Sequence, residues 1–303
     1  MRKDQLDERA VIVLLICCAI WGVSQVAAKL TLVEVPPLLQ AGVRSIGAAV
    51  LLVLWSRWRG LRLGDKDGTG PAGLLSGVIF AVEFACVFIG LQFTTASRMV
   101  VFLYTAPFVV ALGMPLIARS EELSVQQTAG LLLAFFGVVW AYVEGFTGPA
   151  AGPKQWLGDA LGLAGALLWG LSTLWTRGTR LSTALPEKTL LYQLVLSGFA
   201  LTAASALSAE VWPKTVSIGV LGLMLFQISA VTLASYLAWF WLVRHYPATR
   251  AAAFTLLTPI LGLLAGVLIL NEPLTARLLM ALVAVCVGIA LVNLVTRPRP
   301  GAP

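Results

Sequence analysis

Glu83 is an acid set deep inside a long apolar stretch, residues 72–94. An ionised carboxylate there costs at least about 2.5 kcal/mol on insertion scales for acids, so it must face a cavity, carry a proton or bond a neighbouring helix. Three roles fit: a proton-coupling site, a contact for a substrate ammonium, or a structural hydrogen bond between helices. Arg44, in the stretch 36–56, is the matching cation. It either snorkels to the membrane interface or pairs with Glu83.

Aromatic and polar residues recur at helical spacing around these charges. Trp21, Gln25 and Ala28 stand at i, i+4 and i+7, and Trp169, Thr173 and Thr176 repeat that spacing later in the chain. Each set lies on one helix face. Facing a common cavity, the indoles with nearby hydroxyl and amide groups suit a ligand with an apolar body and a polar head; facing each other, they are interhelical packing. Tyr104 and Trp239 extend the same pattern, and Gln227, Thr232, Ser235 and Tyr236 are unusually polar for a lipid-facing helix. The candidate substrate contacts are therefore Trp21, Gln25, Glu83, Tyr104, Trp169, Thr173, Gln227, Ser235 and Trp239. Pro107 and Pro259 fall inside helical stretches, where the missing N–H bends a helix; they are candidate hinges or static kinks.

Other chemistries lack their parts. The chain has one histidine, His245, at an expected loop, and neither a His-Glu-x-x-His nor a Gly-x-Ser-x-Gly string. There is no Gly-x-x-x-x-Gly-Lys-Ser/Thr phosphate loop. An enzyme is not expected, and no catalytic residue, metal or cofactor is assigned. Cys17, Cys18, Cys86 and Cys286 lie in apolar stretches and are expected to act as small hydrophobes without a disulfide.

The elements that must position these residues follow from composition. Of 303 residues 59% are hydrophobic and only 12% charged, about half the charged share of a soluble protein. Ten apolar runs, about 11–31, 36–56, 72–94, 98–118, 125–145, 157–176, 188–208, 216–243, 248–270 and 275–296, approach or exceed the roughly 20 residues that span hydrocarbon. They are unbroken rather than alternating, which excludes a barrel, so the expected fold is an all-α membrane protein of ten transmembrane helices. The first run is too long for a signal peptide, carries Lys29 and lacks a small-x-small site; it is expected to stay as a helix. The eighth is long enough to tilt or to run past the membrane.

With the N-terminus inside, Arg2, Lys3, Arg9, Arg57, Arg59, Arg62, Lys66, Arg119, Arg177, Arg180, Lys188, Arg244, Arg250, Arg297 and Arg299 fall on the cytoplasmic side, and Lys29, Lys154, Lys214, Arg98 and Arg277 fall outside. The positive-inside rule selects that orientation, with both termini cytoplasmic. The net charge of +7 follows from these loops, and no nucleic-acid partner is expected.

The two halves resemble each other. Trp21-Gly22-x-Ser24 matches Trp169-Gly170-x-Ser172; Ala96-Ser97-Arg98 through Phe102 to Pro107 matches Ala248-Thr249-Arg250 through Phe254 to Pro259; and Glu121, Leu123, Ser124 and Gly137 match Glu272, Leu274, Thr275 and Gly288. Three ordered matches argue for duplication, with 1–148 and 149–303 as the units. Five helices per unit make the second copy inverted, a common plan of secondary transporters with the substrate site at the repeat interface. Ser97 and Thr249 are expected as N-caps, Ser124 to Gln127 as a capping box, and Glu121 and Glu272 as acids that bond helix ends.

These matches, with the string Asn271-Glu272-Pro273-Leu274-Thr275, resemble the drug/metabolite transporter superfamily, most closely its EamA-type exporter branch. The first-half counterpart of that string has decayed to Ser120-Glu121-Glu122-Leu123-Ser124. The resemblance implies a secondary transporter of the inner (cytoplasmic) membrane that exports small metabolites without ATP hydrolysis, and within the branch the chain is most similar to bacterial amino-acid exporters that take aromatic substrates. The alternatives are proton-coupled transport of another small metabolite or drug, and a non-transport membrane bundle. The expected partners are a small-molecule substrate and the lipid bilayer, and the expected state is a monomer.

Overall fold

The apolar stretches fold as helices, and the computed structural model describes residues 3, 5–64, 67–118, 121–147, 152–270 and 276–294. Among these there is no strand. The helices are α1 (Glu8–Thr31), α2 (Pro37–Trp58), α3 (Gly70–Phe93), α4 (Ala96–Leu103), α5 (Ala106–Ile117), α6 (Val125–Ala141), α7 (Glu144–Thr147), α8 (Gln155–Gly178), α9 (Pro186–Leu207), α10 (Ile218–Phe226), a π-helical stretch Gln227–Ser235, α11 (Tyr236–His245), α12 (Ala248–Phe254), α13 (Leu257–Leu270) and α14 (Ala276–Leu294). Among the described residues, seven helices are long and apolar enough to cross a membrane, one of them the 28-residue stretch Ile218–His245; three shorter apolar helices fall in the remaining runs. The chain is an all-α, multi-pass membrane protein. Exposed side chains such as Leu116, Phe136, Phe199 and Leu225 give it an apolar exterior. The string Asn271 to Thr275, with Arg2, Lys66, Arg119, Ser120, Arg297 and Arg299, lies outside the described residues.

Local chemistry sets the helix ends. Asp7 caps α1, accepting from the Ala10 amide at 2.9 Å and from the Tyr246 hydroxyl at 2.8 Å. The adjacent Lys3 ammonium, with those donors, holds this carboxyl well below the usual carboxylate range. Ser124 and Gln127 form the expected capping box at α6. Pro37 and Pro186 open α2 and α9, where no N–H is needed. Glu210 takes the Leu38 and Leu39 amides, each at 3.0 Å, closing orphan donors at the start of α2. Two caps differ from expectation. Thr95, not Ser97, caps α4, and Thr249 is the second residue of α12, with Pro247 at the cap. The amide of Thr249 instead donates to Glu121 at 3.1 Å, so that acid bonds a helix end as expected.

The prolines do more than bend. The fourth run breaks into α4 and α5 at Tyr104–Thr105, and the ninth into α12 and α13 at Thr255–Leu256. Pro107 and Pro259 each follow the break within a few residues, where their missing N–H costs least. A threonine hydroxyl at each break donates to the carbonyl three residues back, Thr105 to Phe102 at 2.7 Å and Thr255 to Ala252 at 2.7 Å. The carbonyls freed by the break thus find partners inside the protein.

Packing joins distant parts of the chain: α2 against α9, α6 against α14, α3 against α8 and α9, α1 against α13, and α5 against α8. Small residues permit close approach at two crossings. A β-carbon on Gly22 would sit 2.7 Å from the Gly262 nitrogen, and one on Gly130 would sit 2.7 Å from the Gly288 carbonyl oxygen. Both obstacles are backbone, which cannot swing away. Gly22→Val is therefore expected to cost about 1–3 kcal/mol or more through overpacking, read as a lower melting temperature of the detergent-solubilised protein. Gly219→Ala, where nothing lies within 4 Å, is expected to leave it nearly unchanged.

Candidate functional site

A chamber inside the bundle is lined from α1, α2, α3, the end of α4 with Tyr104, α8, α9 and α11. It measures about 90 Å³ as space open to the centres of waters, against the roughly 10–15 Å³ that one water needs. A small organic molecule fits its scale.

One wall is aromatic. Trp21, Trp169 and Trp239 form a closed triangle, with ring centroids 6.2 Å apart for Trp21 and Trp169, 5.9 Å for Trp21 and Trp239, and 6.3 Å for Trp169 and Trp239. Tyr104 meets Trp169 edge to face at 5.7 Å. Such tilted arrangements satisfy the ring quadrupoles and hold the wall stiff. The indole N–H of Trp21 donates to the Ser235 hydroxyl at 2.6 Å, which in turn donates to the Val231 carbonyl at 2.5 Å.

The chamber also carries charges. Arg44, 4% exposed, stacks its guanidinium over Phe84 at 4.3 Å and Phe88 at 4.9 Å. It is held inside the bundle and does not snorkel to the interface. Glu83, 8% exposed, lines the same space and is electrostatically coupled to Arg44, as is Tyr236. The two charges form no direct ion pair, and among the described residues Glu83 has no hydrogen-bond partner. Gln193 lines the chamber as well, its amide nitrogen donating to Ser76 at 2.8 Å and Ser172 at 3.1 Å.

Of the residues singled out by sequence, Trp21, Gln25, Glu83, Tyr104, Trp169, Thr173 and Trp239 line the chamber. Ser235 stands behind Trp21, and Gln227 lies elsewhere, bonded to Gln40 at 3.0 Å and Thr31 at 3.1 Å. Both belong to the π-helical stretch, whose i→i+5 bonding rotates side chains off the α-helical stripe. Pro107 and Pro259 lie by the two breaks, and Tyr104 joins the first break to the chamber. Sequence reading missed Gln193, Ser172 and the Phe80, Phe84, Phe88 stripe. That stripe was visible at i, i+4 and i+8 beside Glu83, but phenylalanine in an apolar run carries no signal of a cavity.

Charged clusters tie the bundle on either side of the chamber. Arg177 pairs with Glu121 in a buried ion pair and donates to the Val243 carbonyl at 3.2 Å. Arg98 forks onto Asp159, with Nη2 to Oδ2 at 2.5 Å, and Thr94 donates to the same carboxylate at 2.7 Å. Lys29 donates to the Leu91 carbonyl and, at 3.2 Å, to that of Thr94.

A bundle of membrane-length helices around an aromatic and charged chamber defines a multi-pass membrane protein with an internal cavity. The chain belongs to the EamA-like transporter family, whose model matches residues 8–143 and again 156–294. It is similar to the uncharacterized transporter YvbV of Bacillus subtilis, 28% identical over 99% of this chain and 96% of the relative. It is also similar to a probable amino-acid metabolite efflux pump of Escherichia coli, 27% identical over 91% of each chain. A solved crystal structure shares the fold, with a TM-score of 0.77 at 19% identity over 94% of this chain and 98% of that one.

Ser235→Ala would leave the buried indole N–H of Trp21 without its acceptor. The expected cost is about 1–3 kcal/mol for an unsatisfied donor, measured as loss of thermal stability, whereas Ser229→Ala, an exposed serine that bonds its own helix, is expected to change little.

Proposed function

We propose that this transporter exports small metabolites, amino acids including aromatic ones, across the cytoplasmic membrane by alternating access between two inverted five-helix repeats, 1–148 and 149–303, with both termini inside. One observation carries the reading: Trp21 and Trp169, which match each other between the halves, meet edge to face in the chamber. A site built by both halves is exposed to either side as the halves rock.

Further features support it. The family model matches the chain twice. Helix pairing exchanges under the repeat, α1 with α13 as α8 with α5, while α2 meets its own counterpart α9 and α6 meets α14. Both broken helices pass close to the core, their breaks supplying positions at which the backbone can rotate, with Pro107 and Pro259 as the hinge residues. The aromatic wall and the two charges suit a molecule with an apolar body and a charged head, and the relative named as an amino-acid metabolite efflux pump agrees with that chemistry.

The test is counterflow by purified protein in liposomes with a panel of amino acids and unrelated metabolites. Aromatic and other apolar amino acids are expected to exchange, and a panel without any amino-acid flux would overturn the substrate assignment. The orientation is tested separately in cells. Single cysteines replacing Arg62 or Arg180 should react only from the cytoplasm, and those replacing Lys154 or Lys214 only from outside. Labelling of all four from one face would reject the inverted topology.

A second reading, proton-linked transport, is favoured by Glu83, a carboxylate facing the chamber without a hydrogen-bond partner among the described residues. Glu83→Gln keeps the shape and removes the titration. If the carboxyl carries the proton, the variant loses the pH dependence of net flux but retains substrate exchange. An unchanged pH profile assigns the driving force to the substrate gradient alone.

A further inference from the structure

Arginine stays charged at every physiological pH, and hydrocarbon penalises a buried cation unless something answers it. Five other buried or half-buried cations have oxygen acceptors: Arg177 has Glu121, Arg98 has Asp159, Lys188 has Asp67 at 2.8 Å, Lys29 has two carbonyls, and Arg250 has the Asn293 carbonyl at 2.9 Å. Arg44 differs. It is 4% exposed and interacts with the Tyr236 hydroxyl, while its Nε and Nη2, one edge of the guanidinium fork, have no hydrogen-bond acceptor. The guanidinium carbon lies over the rings of Phe84 at 4.3 Å and Phe88 at 4.9 Å, a cation–π contact that leaves those edge donors unused.

We infer that Arg44 is the carboxylate anchor of the transported molecule, receiving the substrate's carboxylate on its fork while the substrate's apolar body rests on the Trp21, Trp169 and Trp239 wall. This rests on the proposed reading of the chamber as the substrate site. A planar guanidinium matches a carboxylate with two parallel N–H···O bonds, which a lysine ammonium cannot reproduce. Glu83 lines the same chamber and is the natural partner for the substrate's ammonium, so a zwitterion leaves the chamber with balanced charge. The place matching Arg44 in the second half holds Tyr192 or Gln193, and Arg44 is the only cation among the described lining residues. The chamber therefore holds one carboxylate in one orientation. Neither composition nor the repeat pattern assigns this role, because both treat Arg44 as a stray charge near a helix end.

The experiment measures binding to the purified full chain of three probes that share one ring: L-tryptophan, indole-3-propionate, which keeps the carboxylate and lacks the amine, and tryptamine, which keeps the amine and lacks the carboxylate. L-tryptophan and indole-3-propionate are expected to bind, and tryptamine to bind at least about tenfold more weakly than L-tryptophan, the loss of a charge-assisted pair. Arg44→Gln should erase the preference for L-tryptophan over tryptamine, and Arg44→Lys should restore only part of it. The readout is a ratio within one variant, so reduced yield does not disturb it, and the wild-type ratio tests the inference even where a variant fails to fold. Tryptamine binding as tightly as L-tryptophan, or a preference surviving in Arg44→Gln, overturns the anchor and leaves the amino-acid reading standing. Failure of all three probes to bind overturns that reading and the anchor with it.

Discussion

Hydrocarbon offers no hydrogen bonds, and most of this structure follows from that one constraint. Each backbone amide and carbonyl within the bilayer must be met by the protein, so the chain is helical wherever it is apolar. The two places where a membrane helix breaks show the rule at its limit. Tyr104 is 3% exposed, and Thr255 and Leu256 are fully buried; the breaks sit inside protein, and the threonine hydroxyls beside them take up carbonyls that the helices release. Irregular backbone in the membrane is tolerated only under such cover. The cover also allows the first break, at Tyr104, to lie against the chamber.

The same constraint sorts the charges. A buried ion whose partner is a fixed carboxylate or carbonyl is part of the frame, as Arg177 with Glu121 and Arg98 with Asp159 join helices that are far apart in sequence. Removing one member of such a pair strands the other, which is why buried pairs specify an arrangement more than they stabilise it. Arg44 and Glu83 are not framed in this way. They share a cavity without pairing directly, and Arg44 is steadied by the rings of Phe84 and Phe88 and by the Tyr236 hydroxyl rather than by a fixed carboxylate. Under the proposed reading of the chamber, that difference separates charges that hold the fold from charges that meet a solute.

Much of this was legible before any coordinate. Runs of twenty apolar residues read as helices because length and hydropathy are properties of the chain itself, and the Ser124 to Gln127 box is a local pattern with a local cause. Trp21 and Trp169 stood out because their surroundings repeat. The differences arise where helix geometry or distant packing overrides the local pattern. Sequence periodicity assumes 3.6 residues per turn, and Gln227 and Ser235 lie in a π-helical stretch that rotates them off the Trp239 face. For Arg44, position near a helix end suggested snorkelling, whereas the rings of Phe84 and Phe88, supplied by another helix, hold it inside. Gln193 needed the packing of α9 against α3 and α8 before its bonds to Ser76 and Ser172 could be foreseen.

The repeat and the chamber obey different rules. Where the halves resemble each other, the shared features are geometric: a broken helix in each, small residues at crossings, and a tryptophan on each of two facing helices. Under the proposed mechanism such likeness serves transport directly, since two arrangements related by near-symmetry have similar energies, and a population can pass between them without a large ligand-derived bias. Where the halves differ, the difference is chemical. Arg44 faces no arginine across the chamber, and Glu83 faces no second acid. A perfectly symmetric lining would accept a solute in either direction and hold both of its ends alike. Under that mechanism, a lining of charges and indoles gives a molecule with a polar head and an apolar body one favourable pose, while the helices around it exchange sides.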